Sequence, residues 1–210
     1  MQGTVFMLNG ASSSGKTTLA RAMQDRSHIP LLYTGIDTCF GMVPPKWGGG
    51  RGGPLRFEGF RYVESIVDDR RPIVTIEYGP VGFTMIKAFQ RSVAALAAGD
   101  FGVIVDEMML SEDVFLGWLD VLDLERTYFI GVHCALDQLE ARERDRGNRK
   151  GLARGYFKSV HTFATYDYEV HSDGGQSPSS VADDVLQACS DSSEPPSRLR
   201  RAAQQRGRLD

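Results

Sequence analysis

A glycine-rich segment near the amino terminus carries the residue types that bind phosphate. Residues 10–17 read Gly-Ala-Ser-Ser-Ser-Gly-Lys-Thr and match the pattern G-x-x-x-x-G-K-[ST]. In such a loop backbone N–H groups surround phosphate oxygens, the lysine bridges the β- and γ-phosphates, and the hydroxyl after it ligates Mg²⁺. We therefore predict ATP and Mg²⁺ as cofactors. The predicted nucleotide-binding residues are Gly10, Ala11, Ser12, Ser13, Ser14, Gly15, Lys16, Thr17 and Thr18, with Thr17 as a metal ligand and Lys16 also catalytic.

The surroundings of this loop favour a nucleotide site over a chance glycine- and serine-rich turn. A short apolar strand is predicted before it and a helix after it, which is the context that the pattern requires. The chain has no N-K-x-D element for guanine, because Asn9 and Asn148 are its only asparagines, and it has no D-x-x-G. These absences argue against a guanine-nucleotide switch, whereas nucleotide binding alone does not separate a kinase from an ATPase.

Two carboxylates follow predicted strands and could do chemistry beside the phosphates. Asp37 comes after a strand predicted at residues 30–33, and Asp106 lies near the end of one predicted at residues 102–107. The carboxyl ends of neighbouring parallel strands open on one crevice. Asp37 is therefore a candidate acceptor for a hydroxyl proton, or else the N-cap of the next helix. Asp106 is a candidate Mg²⁺ ligand, and its neighbour Glu107 is either functional or an ordinary loop acid.

An arginine-rich segment, residues 136–154, is predicted to form a lid. Arginines on a flexible cover can neutralise the charge that spreads over a phosphoryl group during transfer. The alternative is a salt-bridged helix facing solvent, which is where runs of charge usually lie. The segment contains Arg142, Arg144, Arg146, Arg149 and Arg154.

The order of the predicted elements indicates an α/β fold. Strands alternate with helices, so we expect a three-layer arrangement with a mainly parallel central sheet flanked by helices. The predicted strands are residues 4–9, 30–33, 73–78, 102–107, 127–133 and 167–171, and the predicted helices are residues 16–25, 81–98, 112–122 and 181–188. Between them, the proline- and glycine-rich residues 44–54 are expected to form a mobile surface loop.

Composition limits the size of the fold and its partners. The 210 residues suit one domain, which we place at residues 1–190. Residues 191–210 are rich in Ser, Pro and Arg and are predicted to be disordered. The net charge of −3 gives no reason to expect nucleic acid or a membrane as a partner. Three cysteines without metal-ligand spacing, and no run of 18 apolar residues, favour a cytoplasmic protein.

Several motifs, in this order, resemble the chloramphenicol phosphotransferase family over about residues 5–170. The phosphate loop with its preceding Leu-Asn-Gly is similar, and so are four further stretches. His133-Cys134 differs, since the family pattern has arginine before the cysteine. The similar stretches are Gly35-Ile36-Asp37, the strand that ends in Asp106-Glu107, Arg142-Glu143 with Arg146-Gly147-Asn148-Arg149, and Tyr166-Asp167-Tyr168-Glu169-Val170.

The resemblance implies a P-loop kinase fold and an ATP-dependent transfer of phosphate to a hydroxyl of a small molecule, with a chloramphenicol-like antibiotic as the acceptor. It implies Asp37 as the base, with Arg142, Arg146 and Arg149 stabilising the transferred group, and antibiotic resistance as a role. Other acceptors stay open, namely a sugar or a shikimate-like alcohol, as do an ATP-binding regulator or ATPase and a nucleic-acid kinase that uses the basic tail. The possibility of a homo-oligomer also stays open.

Overall fold

A parallel five-stranded sheet forms the centre of the computed structural model, which describes residues 3–48, 52–66, 71–99, 101–147, 150–191 and 195–209. The sheet strands are β1 (Val5–Asn9), β2 (Leu31–Gly35), β5 (Gly102–Glu107), β6 (Thr127–His133) and β7 (Tyr168–His171), and a separate pair consists of β3 (Phe60–Ile66) and β4 (Pro72–Tyr78). The strand order in the sheet is β2-β5-β1-β6-β7, and all four neighbouring pairs are parallel. The predicted mainly parallel α/β fold is therefore confirmed.

Helices cover both faces of this sheet. One core cluster includes Phe6, Leu8 and Met23, and the other includes Met7, Phe115 and Trp118, so alternate residues of β1 point into opposite layers. No helix among the described residues is long and apolar enough to cross a membrane. The helices are α1 (Lys16–Arg26), α2 (Ile36–Met42), α3 (Pro80–Ala97), α4 (Glu112–Val121), α5 (Leu136–Asp145), α6 (Leu152–Tyr156), α7 (Pro178–Asp191) and α8 (Arg198–Gln205).

The sheet positions the loops that follow its strands. β1 lies between β5 and β6, while β2 lies beyond β5, so the chain reverses its direction of travel across the sheet next to β1. Crevices at such reversals, outside the carboxyl ends of the strands, are where open α/β sheets bind ligands. The phosphate loop follows β1, Asp37 follows β2 and Asp106 lies near the end of β5. The fold therefore brings the three predicted features to one edge.

The antiparallel hairpin β3–β4 differs from the sequence-based prediction. Residues 73–78 were expected as a strand in an alternating series, and residues 60–66 were not expected to be a strand. In the structure the two strands pair with each other, with Phe60 opposite Tyr78 and Ile66 opposite Pro72. Tyr156 anchors the pair, because its hydroxyl accepts a hydrogen bond from the Ile76 N–H at 2.9 Å and donates one to the Ile76 carbonyl at 3.2 Å. The hairpin is therefore attached to α6.

The carboxyl-terminal segment also differs from the prediction, which was disorder over residues 191–210. α8 buries Leu199, Ala202 and Ala203 in the larger core cluster. This i, i+3, i+4 spacing forms an apolar stripe on one face of a helix, although the segment as a whole is polar. Asp167 accepts hydrogen bonds from the Ser197 and Arg198 N–H groups and so caps the start of α8.

Candidate active site

The phosphate loop between β1 and α1 adopts a conformation that depends on its glycines. Gly15 has φ 98°, and Ser13 is a non-glycine residue with φ 64°. A Cβ at Gly10 would lie 2.4 Å from the Val132 carbonyl oxygen, so that position requires glycine. Strained backbone at Ser13 is a feature of functional sites. The loop ends at Lys16, where α1 begins, and the free N–H groups of such a helix N-terminus favour the binding of an anion.

Lys16, Thr17 and Asp106 form a connected polar cluster below the loop. The Lys16 ammonium donates to the carbonyl oxygens of Gly10 and Ala11, each at 2.9 Å, and lies 3.8 Å from Asp106 Oδ1. The Thr17 hydroxyl donates to Asp106 Oδ2 at 2.6 Å. The structure thus places the predicted lysine and both predicted metal ligands together.

The residues present fit a bound nucleotide with Mg²⁺. The hydroxyl oxygens of Ser13 and Ser14 are buried without a hydrogen-bond partner, in a loop where phosphate oxygens would accept from them. Among the described residues no group of three His, Cys, Asp or Glu side chains could enclose a metal ion. Mg²⁺ is usually held by one or two protein oxygens together with phosphates and water. A hydroxyl and a carboxylate, here Thr17 and Asp106, are sufficient for that mode.

Asp37 lies in the first turn of α2 and lines the same cleft as Lys16, Thr17 and Asp106. The N-cap of this helix is Gly35, so Asp37 is not the capping residue that the sequence left open. Partial burial and repulsion by Asp106 raise the pKa of the Asp37 carboxyl, while Lys16 opposes them. The residue keeps contact with solvent, which limits the effect of burial. A carboxylate with a raised pKa takes up a proton more readily, as a general base requires.

Glu107 does not share in this cleft. It is only 1% exposed, and its carboxylate accepts hydrogen bonds from Trp118 Nε1 and the Met108 N–H, both at 3.0 Å. Burial raises the pKa of Glu107 to about 7. The sequence left open whether Glu107 is functional or an ordinary loop acid. In the structure its hydrogen bonds connect β5 to α4.

Two adjoining cavities lie between the phosphate loop and the β3–β4 hairpin. The inner one, of about 110 Å³, contains Asp37, Lys16, Thr17 and Asp106. The outer one, of about 200 Å³, extends towards Gly48. Both cavities share the side chains of Phe40, Tyr62 and Ile76. Such a cleft can hold a molecule with an apolar body and bring a hydroxyl of it to Asp37.

A third cavity, of about 260 Å³, lies on the other side of the loop. Apolar side chains from α1, β7 and α7 form its walls, and Thr18 lies at its edge with Gly15. A flat base attached to phosphates in the loop can enter here. Sequence patterns predicted Gly15, Thr18, Arg142 and Arg146 as site residues, but they did not indicate the apolar residues around them, whose common feature is position around the loop and not spacing. Its other lining residues are Leu19, Val132, Arg142, Arg146, Val170, His171, Ser172, Gln176, Pro178 and Val181.

The arginines of residues 136–154 divide into different environments. Arg142 donates to the Ser13 carbonyl at 3.4 Å, to the Ser172 hydroxyl at 2.9 Å and to the Ser172 carbonyl at 3.0 Å. Arg146 is exposed and lines both the 260 Å³ cavity and the inner cleft. Arg154 forms a salt bridge with Glu140, as the alternative predicted, but the pair is largely buried and does not face solvent. Arg149 lies outside the described residues.

Three histidines stack beside the phosphate loop. The ring of His133 lies 4.2 Å from that of His161 and 5.2 Å from that of His171. His161 Nδ1 and the Tyr166 hydroxyl are 2.6 Å apart. Burial, His133 and Lys16 lower the pKa of His161 to about 4, so it is neutral at physiological pH. His133 thus occupies the centre of an aromatic stack.

Comparisons with known proteins agree with the observed fold. A family model described as chloramphenicol phosphotransferase-like protein matches residues 3–190. A Mycobacterium tuberculosis protein named as a candidate O-phosphotransferase is 29% identical over 170 residues, which cover 80% of this chain and 75% of that one. The fold is similar to a sugar kinase from Janibacter sp. (TM-score 0.59, 15% identity, 89% of this chain and 94% of that one). It is also similar to a gluconokinase from Sinorhizobium meliloti (TM-score 0.54, 15% identity, 98% and 96%).

Proposed function

The chain belongs to the chloramphenicol phosphotransferase-like protein family and is a kinase, and we propose that it transfers the γ-phosphate of ATP to a hydroxyl of a chloramphenicol-like antibiotic. The observation that carries this proposal is one cleft that contains Asp37, Lys16, Thr17, Asp106 and Arg146. These are the parts that phosphoryl transfer needs: a proton acceptor, a phosphate-binding cation, metal ligands and a mobile positive charge.

The phosphate loop binds and orients the nucleotide in this proposal. ATP would supply the phosphoryl group when bound, and Thr17 and Asp106 would hold a Mg²⁺ ion that would neutralise charge on the phosphates. Lys16 exchanges its two carbonyl partners for phosphate oxygens, and the Ser13 and Ser14 hydroxyls gain the partners they lack. The 260 Å³ cavity takes the base and ribose.

Asp37 accepts the proton of the acceptor hydroxyl. It faces the inner cleft from the start of α2, and its raised pKa favours proton uptake. The aromatic and aliphatic walls that continue into the outer cavity, Phe40, Tyr62 and Ile76, hold the body of the acceptor and exclude water. Exclusion of water directs the phosphoryl group to the acceptor instead of to hydrolysis.

Residues 136–154 serve as the lid in this proposal, and Arg142 and Arg146 have different tasks. Arg142 joins the loop at Ser13 to the β7–α7 connection at Ser172, so it shapes the nucleotide site. Arg146 reaches both the nucleotide cavity and the inner cleft, which is the place where charge develops during transfer. The proposal includes Arg149 as a third lid arginine on the family motif alone.

The proposed location is the cytoplasm. Cys39, Cys134 and Cys189 are free thiols and are buried, a state typical of a reducing compartment. Resistance to a hydroxylated antibiotic is the biological role that this activity would serve.

Release of ADP with Mg·ATP and a panel of acceptors tests the proposal. The panel contains chloramphenicol, other hydroxylated antibiotics, shikimate and gluconate, and it is run on the parent chain and on Asp37→Ala. We expect turnover that depends on an antibiotic acceptor and falls by at least about 10² in the variant. The matched control is Asp25→Ala, an exposed acid on α1, which should retain parent activity.

Two other results would replace the proposed acceptor or the proposed reaction. Turnover with shikimate or gluconate alone would keep the mechanism and change the acceptor to another small alcohol. ATP hydrolysis that ignores every acceptor and survives Asp37→Ala would contradict the transfer mechanism and indicate an ATPase or regulator.

A further inference from the structure

A tyrosine outside the predicted motifs contacts the candidate metal ligand. Tyr33 lies on β2, and its hydroxyl donates to Asp106 Oδ2 at 3.0 Å. The Thr17 hydroxyl donates to the same oxygen at 2.6 Å. One oxygen of this carboxylate is therefore held by two hydroxyls from different elements, β2 and α1.

These two bonds fix the orientation of Asp106. With Oδ2 held by the two hydroxyls, Oδ1 is directed towards the Lys16 ammonium, which lies 3.8 Å away. A carboxylate with one donor on Oδ2 can still turn about its Cβ–Cγ bond, whereas a second donor from another direction removes that freedom. Groups that hydrogen-bond to a metal-ligating carboxylate orient it in this way.

The Tyr33 side chain is itself held in place. The Arg21 guanidinium lies 4.3 Å from the centre of its ring, and the ring packs against the core cluster that contains Leu8 and Met23. Burial and the neighbouring Asp106 raise the pKa of the Tyr33 phenol, so it remains protonated and able to donate at neutral pH. The ring contacts do not depend on the hydroxyl and persist in phenylalanine.

We propose that Tyr33 is a positioning residue that holds the Asp106 carboxylate in the orientation that receives the Mg²⁺ of the bound nucleotide. This inference rests on the proposed function, because it takes Asp106 and Thr17 as the residues that hold the metal. Tyr33 acts through Asp106, with no contact of its own to the phosphates required. Its hydroxyl therefore matters for Mg²⁺-dependent binding and leaves metal-free binding unaffected.

The test compares ADP affinity with and without Mg²⁺ by isothermal titration calorimetry. Tyr33→Phe removes the hydroxyl and keeps the ring. In excess EDTA we expect the parent and variant to bind ADP within about twofold of each other. With Mg²⁺ we expect the parent to bind ADP more tightly than in EDTA, and we expect this increase in affinity to be about tenfold smaller in Tyr33→Phe. A loss of that size is typical when a residue that hydrogen-bonds to a metal ligand is changed.

Tyr128→Phe is the matched control. It also removes one tyrosine hydroxyl from the central sheet. That hydroxyl donates to the Cys189 carbonyl at 2.7 Å and is not bonded to Asp106. We expect this variant to keep the full Mg²⁺-dependent gain. Thermal denaturation of all three proteins checks that the folded state is intact before the titrations are compared.

The outcomes separate this inference from the proposed function. An unchanged Mg²⁺-dependent gain in Tyr33→Phe would overturn the positioning role, and so would an equal loss of affinity in EDTA and in Mg²⁺. A parent chain whose ADP affinity does not respond to Mg²⁺ would overturn the metal site on which both proposals rest. A loss of ADP affinity that is seen only with Mg²⁺, and only in Tyr33→Phe, would support the inference.

Discussion

Removal of the Glu143 carboxylate should loosen the connection between α5 and α6. Glu143 is only 2% exposed, and its two oxygens accept hydrogen bonds from the Gly151 and Ala153 N–H groups, each at 2.8 Å. Gly151, with φ 96°, is the N-cap of α6, so these bonds satisfy donors that the helix leaves without an internal partner. Glu143 also lies between Arg142 and Arg146 on the chain.

The magnitude follows from the two bonds. Hydrogen bonds to charged groups contribute about 1.5–3 kcal/mol each, so the loss of both in Glu143→Ala should lower the free energy of unfolding by about 3–6 kcal/mol. Glu143→Gln keeps one acceptor oxygen and should lose about half of that. For a chain of this length each kcal/mol corresponds to about 2–4 °C, which places the fall in Tm for Glu143→Ala between about 6 and 24 °C.

Urea denaturation of the parent, Glu143→Ala and Glu143→Gln measures these differences. Asp137→Ala is the control, because it removes an exposed acid from the first turn of the same helix and should cost about 0.5 kcal/mol. A Glu143→Ala variant within about 1 kcal/mol of the parent would refute the reasoning. Equal losses in the Ala and Gln variants would refute the assignment of the loss to two separate bonds.

Three further predictions concern the lid arginines, the carboxyl terminus and pH. Arg146→Ala should lower kcat by about 10² with little change in ADP affinity, whereas Arg142→Ala should mainly weaken ADP binding. Steady-state kinetics measures kcat and calorimetry measures ADP affinity, and an exchange of the two effects between the variants would contradict this division of roles. Truncation after residue 194 removes the buried Leu199 and two buried alanines, so it should cost about 3 kcal/mol by urea denaturation; unchanged stability would instead favour a disordered tail. Because the pKa of His161 is about 4 in the folded state and about 6.5 when unfolded, the unfolded state binds a proton first as pH falls, and His161 should reduce stability between pH 6.5 and 4. The raised pKa of Glu107 has the opposite effect on stability between about pH 4.5 and 7. The measurement is therefore the difference in the free energy of unfolding between the parent and His161→Gln across this range. A difference that does not change with pH would contradict the prediction.

The phosphate loop and its partners could be predicted because their signals are local or follow from strand order. A glycine-lysine pattern needs only its own residues, and an aspartate after a strand of a parallel sheet falls at the common edge whatever the loops do. Asp37 and Asp106 reach the same cleft for this reason. The role of Asp37 as the proton acceptor stays a prediction, because proton transfer is a property that its position in the cleft does not test.

The parts that the sequence did not predict depend on contacts between distant segments. Among the described residues β3 pairs with β4 and not with the central sheet, and the hairpin is attached to α6 by the hydrogen bonds between Ile76 of β4 and Tyr156, which are 80 residues apart. α8 contains few apolar residues, and it is ordered because Leu199 and two alanines share one face and because Asp167 caps its start. Tyr33 belongs to no motif, and only the register of β2 beside β5 brings it to Asp106.

Transfer of label from the γ-phosphate of ATP to an organic acceptor tests the central claim most directly. The parent chain and Asp37→Asn are incubated with Mg²⁺, γ-labelled ATP and chloramphenicol, and the labelled products are separated by chromatography. The proposed function predicts a labelled phosphate ester of the acceptor with the parent, and its loss in Asp37→Asn while ADP binding is retained. Label found only in inorganic phosphate, in equal amounts with both proteins, would contradict it.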